Sequence, residues 1–150
     1  MRASKNPADT SKSGSKRPKP VDLGRVLLVE DDAVLGMDLE HALVEGGARE
    51  VVICQTMKAT MQALETDEAF DAIVLDVHLA DRDDGWALAE LIAMLGTKMP
   101  RIAFSTGSPG DIPENVAEMG PVFEKPYDPQ HLVRELSAGR KRGLIARLLS

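Results

Sequence analysis

The sequence predicts an α/β fold in which a doubly wound, five-stranded parallel sheet is covered by helices on both faces. Short apolar runs alternate along the chain with segments whose apolar residues recur at helical spacing. The runs are continuous rather than alternating, as expected of strands buried on both faces of a parallel sheet. A length of 150 residues with 43% apolar composition suits one compact domain.

The first half of the chain supplies three predicted strands and two predicted helices. RVLLV (25–29) is the first strand, and a helix over 33–47 follows, which two glycines end. EVVIC (50–54) is the second strand. A helix over 57–70 places two methionines and a leucine on one face, and DAIVLDV (71–77) is the third strand.

The second half is less regular. A third helix is predicted over 84–96 and a fourth strand over 101–106. Three glycines and two prolines in 107–120 leave room for at most a short helix, so the fourth helix is expected to be shortened. The fifth strand is 121–125. A last helix over 128–139 has an aspartate at its cap and a proline in its first turn.

Both ends of the chain are basic, whereas the middle is acidic. Residues 1–20 carry six Lys or Arg against one Asp and have no apolar periodicity, which predicts a disordered tail. Residues 139–150 carry four basic residues and form either a basic amphipathic helical extension or a frayed end. Since the net charge is −6, the stretch between holds −15. The domain prediction is therefore a folded unit over 21–138 between two basic tails.

Composition excludes several classes of protein. An acidic body argues against nucleic acid as the main partner. The single cysteine, Cys54, allows no intramolecular disulfide, which fits a reducing compartment. No apolar run approaches the roughly 20 residues that a membrane helix needs, and the N-terminus lacks the apolar stretch of a signal peptide. We therefore expect a cytoplasmic location and no membrane partner.

Charged and hydroxyl side chains follow the predicted strands. In open parallel sheets, ligands bind at the carboxyl ends of the strands, so these side chains should meet at one edge. They are Glu30, Asp31, Asp32, Asp76, Ser105, Thr106 and Lys125.

This residue set predicts a magnesium site next to a nucleophile. Several carboxylates at one edge repel each other and form a site for a hard cation such as Mg²⁺. Asp76 follows three apolar strand residues, so it is held rigidly and is able to attack a phosphoryl group beside the metal. Lys125 and the Thr106 hydroxyl are placed to bind phosphoryl oxygens, and Thr106 is a candidate switch.

Four stretches in order resemble the receiver domain of bacterial two-component response regulators. They are LLVEDD, IVLDVHL, FSTG and EKPYD. The resemblance covers about residues 24–138 and implies a flavodoxin-like sheet with strand order 2-1-3-4-5.

The resemblance also implies a role for each matching residue. Glu30 and Asp31 are the acidic pair and Asp76 is the phosphoacceptor. Mg²⁺ is held by Asp31, Asp76 and the backbone carbonyl of His78. Thr106 is the switch hydroxyl and Lys125 the phosphate-binding lysine. Asp32 falls outside the acidic pair and is expected to cap the first helix.

The chain also departs from the common receiver pattern. Ala80 replaces the usual proline after the third strand, and Gly85 comes one residue late. The position of the switch aromatic is Val122, with Phe123 one place along, and the spacing from Thr106 to Lys125 is about three residues short. FSTGS and PVFEKPYDP resemble the FAT GUY subgroup, whose members are often single-domain regulators.

The resemblance implies a stand-alone response regulator of a phosphorelay. A histidine kinase or histidine phosphotransfer protein would phosphorylate Asp76. Output would pass to another protein through 107–122, or the domain would act as a phosphate sink. Mg²⁺-dependent self-phosphorylation and self-dephosphorylation are the only chemistry expected. The alternatives are a phosphorylation-independent interaction module and, more remotely, a phosphatase resembling the haloacid dehalogenases, which carry a second aspartate where this chain has His78.

Overall fold

The computed structural model describes residues 22–65, 69–77 and 100–138. The predicted third helix, His78 and the two basic tails lie outside these residues. Within them, no helix is long and apolar enough to cross a bilayer.

Five parallel strands form one sheet in the order β2-β1-β3-β4-β5, which confirms the predicted topology. The chain leaves β1 to pair β2 on one side and then crosses back, so strand order reverses next to β1 and β3. A site at the carboxyl edge is expected at that reversal. The strands are β1 (Gly24–Val29), β2 (Ala48–Cys54), β3 (Ala72–Asp76), β4 (Arg101–Thr106) and β5 (Val122–Glu124).

Helices lie on both faces of the sheet. In chain order they are α1 (Ala33–Glu45), α2 (Met57–Leu64), the short α3 (Glu114–Ala117) and α4, which spans 129–138. Buried side chains of α1 and α4 share one core cluster with β1 and β3, whereas those of α2 and α3 belong to the cluster on the opposite face. The four-residue α3 agrees with the expected shortening of the fourth helix.

The helix ends follow from local sequence. The Asp32 carboxylate accepts hydrogen bonds from the backbone N–H groups of Val34 and Leu35, as predicted for the cap of α1. At the other end, Gly46 closes the helix, and Gly47 adopts a φ of 113° that favours glycine. Asp128 caps α4 through the Gln130 N–H. These caps fix where each helix leaves the carboxyl edge of the sheet.

Two predicted boundaries were wrong. The second helix was expected to run to residue 70 but ends at Leu64. Phe70 is instead a buried residue outside any helix, and the Arg25 guanidinium stacks on it at 4.3 Å from the ring centroid. Strand β2 begins at Ala48, two residues earlier than expected, because pairing with β1 begins at Gly24.

Candidate functional site

Three carboxylates converge at the carboxyl edge of the sheet. One oxygen atom from each of Glu30, Asp31 and Asp76 lies within 4.8 Å of the others. Glu30 and Asp76 are each 1% exposed. Glu30 is held there because its backbone N–H donates to the Cys54 carbonyl, which continues the pairing of β1 with β2. The structure thus brings together the acidic residues that the sequence predicted.

Lys125 provides the positive charge for this cluster. Its Nζ lies 3.2 Å from Oε2 of Glu30 and 3.2 Å from Oδ2 of Asp76. Its backbone N–H donates to the Thr106 carbonyl at 2.8 Å, which fixes the residue at the end of β5. Burial lowers the pKa of Lys125, but attraction to the Asp76 and Glu30 carboxylates outweighs it, so the pKa is raised overall. The ammonium therefore stays charged.

Glu30 is the electrostatically unfavourable member of the cluster. Burial raises its pKa from 4.5 to about 7; the N–H of Asp32 opposes this, the Asp76 charge adds to it, and Lys125 opposes it. Its Oε2 accepts from Lys125 and from the Asp32 N–H. Its Oε1 has no hydrogen-bond partner among the described residues. This buried oxygen of Glu30 thus keeps the capacity to bind another positive ligand.

The donor set fits a hard divalent cation. Glu30, Asp31 and Asp76 offer only oxygen atoms, which Mg²⁺ prefers, and a partly exposed Asp31 leaves space for retained water. The Lys125 ammonium pairs with two of these carboxylates, Glu30 and Asp76, and a bound cation would relieve the repulsion among all three. The backbone carbonyl of His78, which was also expected to bind the metal, lies outside the described residues.

Thr106 ends β4 and is fully buried. Its Oγ1 accepts a hydrogen bond from the backbone N–H of Ser108 at 2.9 Å. The Thr106 side chain therefore links the last residue of β4 to the first turn of 107–122. A change in the orientation of this hydroxyl would act directly on that segment.

Sequence reasoning placed Ser105 at this edge of the sheet but missed its hydrogen bond with Tyr127. The side-chain oxygens of Ser105 and Tyr127 lie 2.8 Å apart, and either is able to donate. Tyr127 also packs against Phe123, with ring centroids 5.7 Å apart. Tyr127 stands two residues after Lys125 within the EKPYD stretch, so the motif contained the residue but gave no sign of its partner.

A groove of about 250 Å³ opens next to Lys125, between the start of α1 and the loop after β5. Asp32, Asp38 and Tyr127 are among its lining residues. Lys125 thus lies at the wall of a solvent-accessible groove.

Comparison with known proteins agrees with this geometry. Residues 26–137 match the family described as the response regulator receiver domain. The chain belongs to that family of two-component signalling proteins. Receiver domains in general bind Mg²⁺ in an acidic pocket and interact with histidine kinases or phosphotransfer proteins.

Individual relatives support the assignment. The chain is 32% identical over 110 residues to a Bacillus subtilis protein described as the uncharacterized transcriptional regulatory protein YbdJ. This match covers 73% of the chain and 47% of the relative, so the chain spans about half the length of the curated relative that it matches.

Solved structures share the fold. The non-phosphorylated HemR receiver domain from Leptospira biflexa is 31% identical with a TM-score of 0.63, covering 75% of this chain and 90% of that one. A CheY-like receiver domain from Methylobacillus flagellatus is 22% identical with a TM-score of 0.65, covering 81% of this chain and 98% of that one. The latter identity supports the fold alone.

Proposed function

We propose that this receiver accepts a phosphoryl group on Asp76 from a histidine kinase or a histidine phosphotransfer protein, with Mg²⁺ at the acidic cluster. One observation carries the proposal. The Lys125 ammonium lies 3.2 Å from both Glu30 and Asp76 in a pocket where Asp31 contributes a third carboxylate. A buried nucleophile, an oxygen-ligand set and one fixed cation are the parts that phosphoryl transfer to a carboxylate requires.

The transfer step follows from these positions. An oxygen of Asp76 attacks the phosphorus of the donor phosphohistidine. The new O–P bond forms as the N–P bond breaks, and the electron pair stays on the imidazole nitrogen, which takes up a proton. Lys125 binds a phosphoryl oxygen and stabilises the charge that is spread over it. Mg²⁺, when bound to Glu30, Asp31 and Asp76, neutralises charge on the nucleophile and on the phosphoryl oxygens.

The signal would leave the site through Thr106. If its hydroxyl turns to donate to a phosphoryl oxygen, the hydrogen bond that it accepts from the Ser108 N–H at 2.9 Å is lost. That change alters the first turn of 107–122. Asp111, Glu114 and Glu118 are exposed in this segment, so it presents an acidic surface to a downstream protein. A receiver without such a partner would act as a phosphate sink.

The finer features of the proposal rest on the sequence. The stand-alone role follows from the resemblance of FSTGS and PVFEKPYDP to the FAT GUY subgroup. We propose a cytoplasmic location because a single cysteine suits a reducing compartment. We include no nucleic acid or membrane partner. Self-phosphorylation and self-dephosphorylation at Asp76 are the only reactions in the proposal.

The test is an intact-mass measurement. The purified chain is incubated with acetyl phosphate or phosphoramidate in Mg²⁺ or in EDTA. We expect a phosphoryl adduct on the wild type only with Mg²⁺, and none on Asp76→Asn. Asp38→Asn is the matched control, since Asp38 is an exposed aspartate on α1 and should leave the adduct intact.

Other outcomes would favour other functions. No adduct from either donor, together with normal partner binding by Asp76→Asn, would make the chain a phosphorylation-independent interaction module. Continuous turnover of a generic phosphate ester that depends on Asp76 would indicate a phosphatase.

A further inference from the structure

We propose that Tyr127, through its hydrogen bond to Ser105, is a positioning residue that holds the Lys125 ammonium in place for phosphoryl transfer. The inference rests on the proposed function of Asp76 and deepens it. It concerns a hydroxyl pair that is not among the expected receiver site residues, and it follows from where that pair lies.

The loop that carries Lys125 is tied to the end of β4 at two points. The first tie is the backbone N–H of Lys125, which donates to the Thr106 carbonyl at 2.8 Å. The second is the Tyr127 hydroxyl, which lies 2.8 Å from Oγ of Ser105. The two ties are two residues apart on the loop and join neighbouring residues of β4. Together they restrict both the position and the rotation of the loop backbone at Lys125.

Ser105 places the second tie next to the nucleophile. In the sheet, Asp76 of β3 pairs with Ser105 of β4, so their side chains project from the same face. The two residues before them on that face, Val74 and Ala103, belong to the core cluster beneath α1 and α4. The Ser105 hydroxyl is thus a rigid anchor, 1% exposed, in the row that ends at the acidic cluster.

The aromatic ring of Tyr127 is itself held from behind. Its centroid lies 5.7 Å from that of Phe123, which in turn meets His131 of α4 at 5.4 Å in an edge-to-face arrangement. Burial raises the pKa of Tyr127, so the phenol keeps its proton and one of the two hydroxyls donates to the other. The ring fixes where the hydroxyl lies, and the hydroxyl fixes the loop to Ser105.

This arrangement predicts that the Tyr127 hydroxyl affects the rate of phosphoryl transfer by holding Lys125 in position. The ammonium must reach two carboxylates at 3.2 Å in the resting site and a phosphoryl oxygen during transfer. Without the second tie, the loop backbone gains freedom and the ammonium spends less time in that position. Transfer rates are sensitive to displacements of this kind because stabilisation depends on pre-set geometry.

The experiment measures the rate of adduct formation on the full chain with acetyl phosphate or phosphoramidate at saturating Mg²⁺. Tyr127→Phe removes only the hydroxyl, and we expect the rate to fall about fivefold, the size of one typical net hydrogen bond. Ser105→Ala removes the same bond from the other side and should give a similar fall. The double variant should be no slower than either single variant.

Two controls separate positioning from general destabilisation. Ser137→Ala removes a hydroxyl that donates to the Val133 carbonyl within α4, and it should leave the rate unchanged. In a Lys125→Met background, Tyr127→Phe should have no further effect on the rate, because the group that it positions is gone. Thermal unfolding of each variant confirms that it is folded at the assay temperature.

The outcomes are distinguishable. If Tyr127→Phe and Ser105→Ala both react at the rate of the wild type, this inference is wrong. The proposed function still stands in that case, provided that the wild-type protein forms the adduct. A fivefold loss that persists in the Lys125→Met background also overturns it, since Tyr127 would then act on something else. No adduct on the wild type from either donor overturns the proposed function, and this inference with it.

Discussion

The two edges of the sheet both carry charged side chains, but the carboxyl edge buries Glu30 and Asp76, whereas the acids of the amino edge are exposed. At the amino edge, Arg25 Nε pairs with Glu50 at 2.9 Å, and the backbone N–H of Arg25 donates to Asp71 at 2.9 Å. The guanidinium also stacks on Phe70. Each acid named here has a donor, and Glu50 is half exposed to solvent.

The carboxyl edge is built differently. Glu30 and Asp76 are buried and share the ammonium of Lys125, and Asp31 lies beside them. Oε1 of Glu30 has no hydrogen-bond partner among the described residues. A fold does not need such an arrangement, because burying carboxylates costs free energy. A cluster of charged side chains therefore indicates a ligand site when it buries a carboxylate oxygen that lacks a partner, and a structural role when its acids are exposed and hydrogen-bonded.

The largest effect is expected when the Lys125 ammonium at the carboxyl edge is removed. Lys125→Met should slow phosphorylation of Asp76 on the order of 100-fold, the size seen when one fixed donor to a developing negative charge is lost. The rate of adduct formation by intact mass at saturating Mg²⁺ measures it. If the rate of the variant stays within about threefold of the wild-type rate, the effect is far smaller than the roughly 100-fold loss expected for such a donor. Lys125 would then balance charge without taking part in transfer.

The burial of Glu30 at the carboxyl edge should make the stability of the protein depend on pH. Its folded-state pKa of about 7 exceeds its ordinary 4.5, so the folded protein binds a proton more tightly than the unfolded chain. The stability linked to this group is therefore present below pH 4.5 and is lost as the pH rises through 7. We expect a loss of about 3 kcal/mol in EDTA over that range.

Urea unfolding at several pH values measures this loss against Glu30→Gln, which has no titrating carboxyl group there. The wild-type free energy of unfolding should fall relative to that of the variant between about pH 5 and pH 8. Added Mg²⁺ should restore more stability to the wild type than to Glu30→Gln. Parallel curves for the two proteins would contradict the raised pKa of Glu30.

The sequence predicted the fold well where local chemistry decides the structure. RIAFST gave the bounds of β4 correctly, and Asp32 and Asp128 marked the starts of α1 and α4. The prediction from sequence failed where a contact between residues far apart in the chain determines the structure. Residues before Phe70 have helical spacing, but this ring packs beneath Arg25 from β1 and leaves the helical path.

The site shows the same division. The order of motifs at strand ends was enough to place Glu30, Asp31, Asp76 and Lys125 together. The burial of Glu30 and the pairing of Ser105 with Tyr127 depend on how the loop after β5 folds onto β4. No spacing rule in a single sequence contains that information, so these features emerged only from the structure.

The smallest effect is expected for a substitution at the amino edge. Arg25→Met keeps the apolar stem of the side chain but removes the ion pair with Glu50 and the stacking on Phe70. Because the pair is partly exposed, we expect a loss of about 1 kcal/mol and a fall in Tm of about 4 °C. Phosphorylation of Asp76 should stay within about twofold of wild type, since no step of the transfer involves this edge. A fall as large as that of Lys125→Met would show that the two edges are coupled and that burial and hydrogen bonding of the acids do not separate structural from functional clusters here.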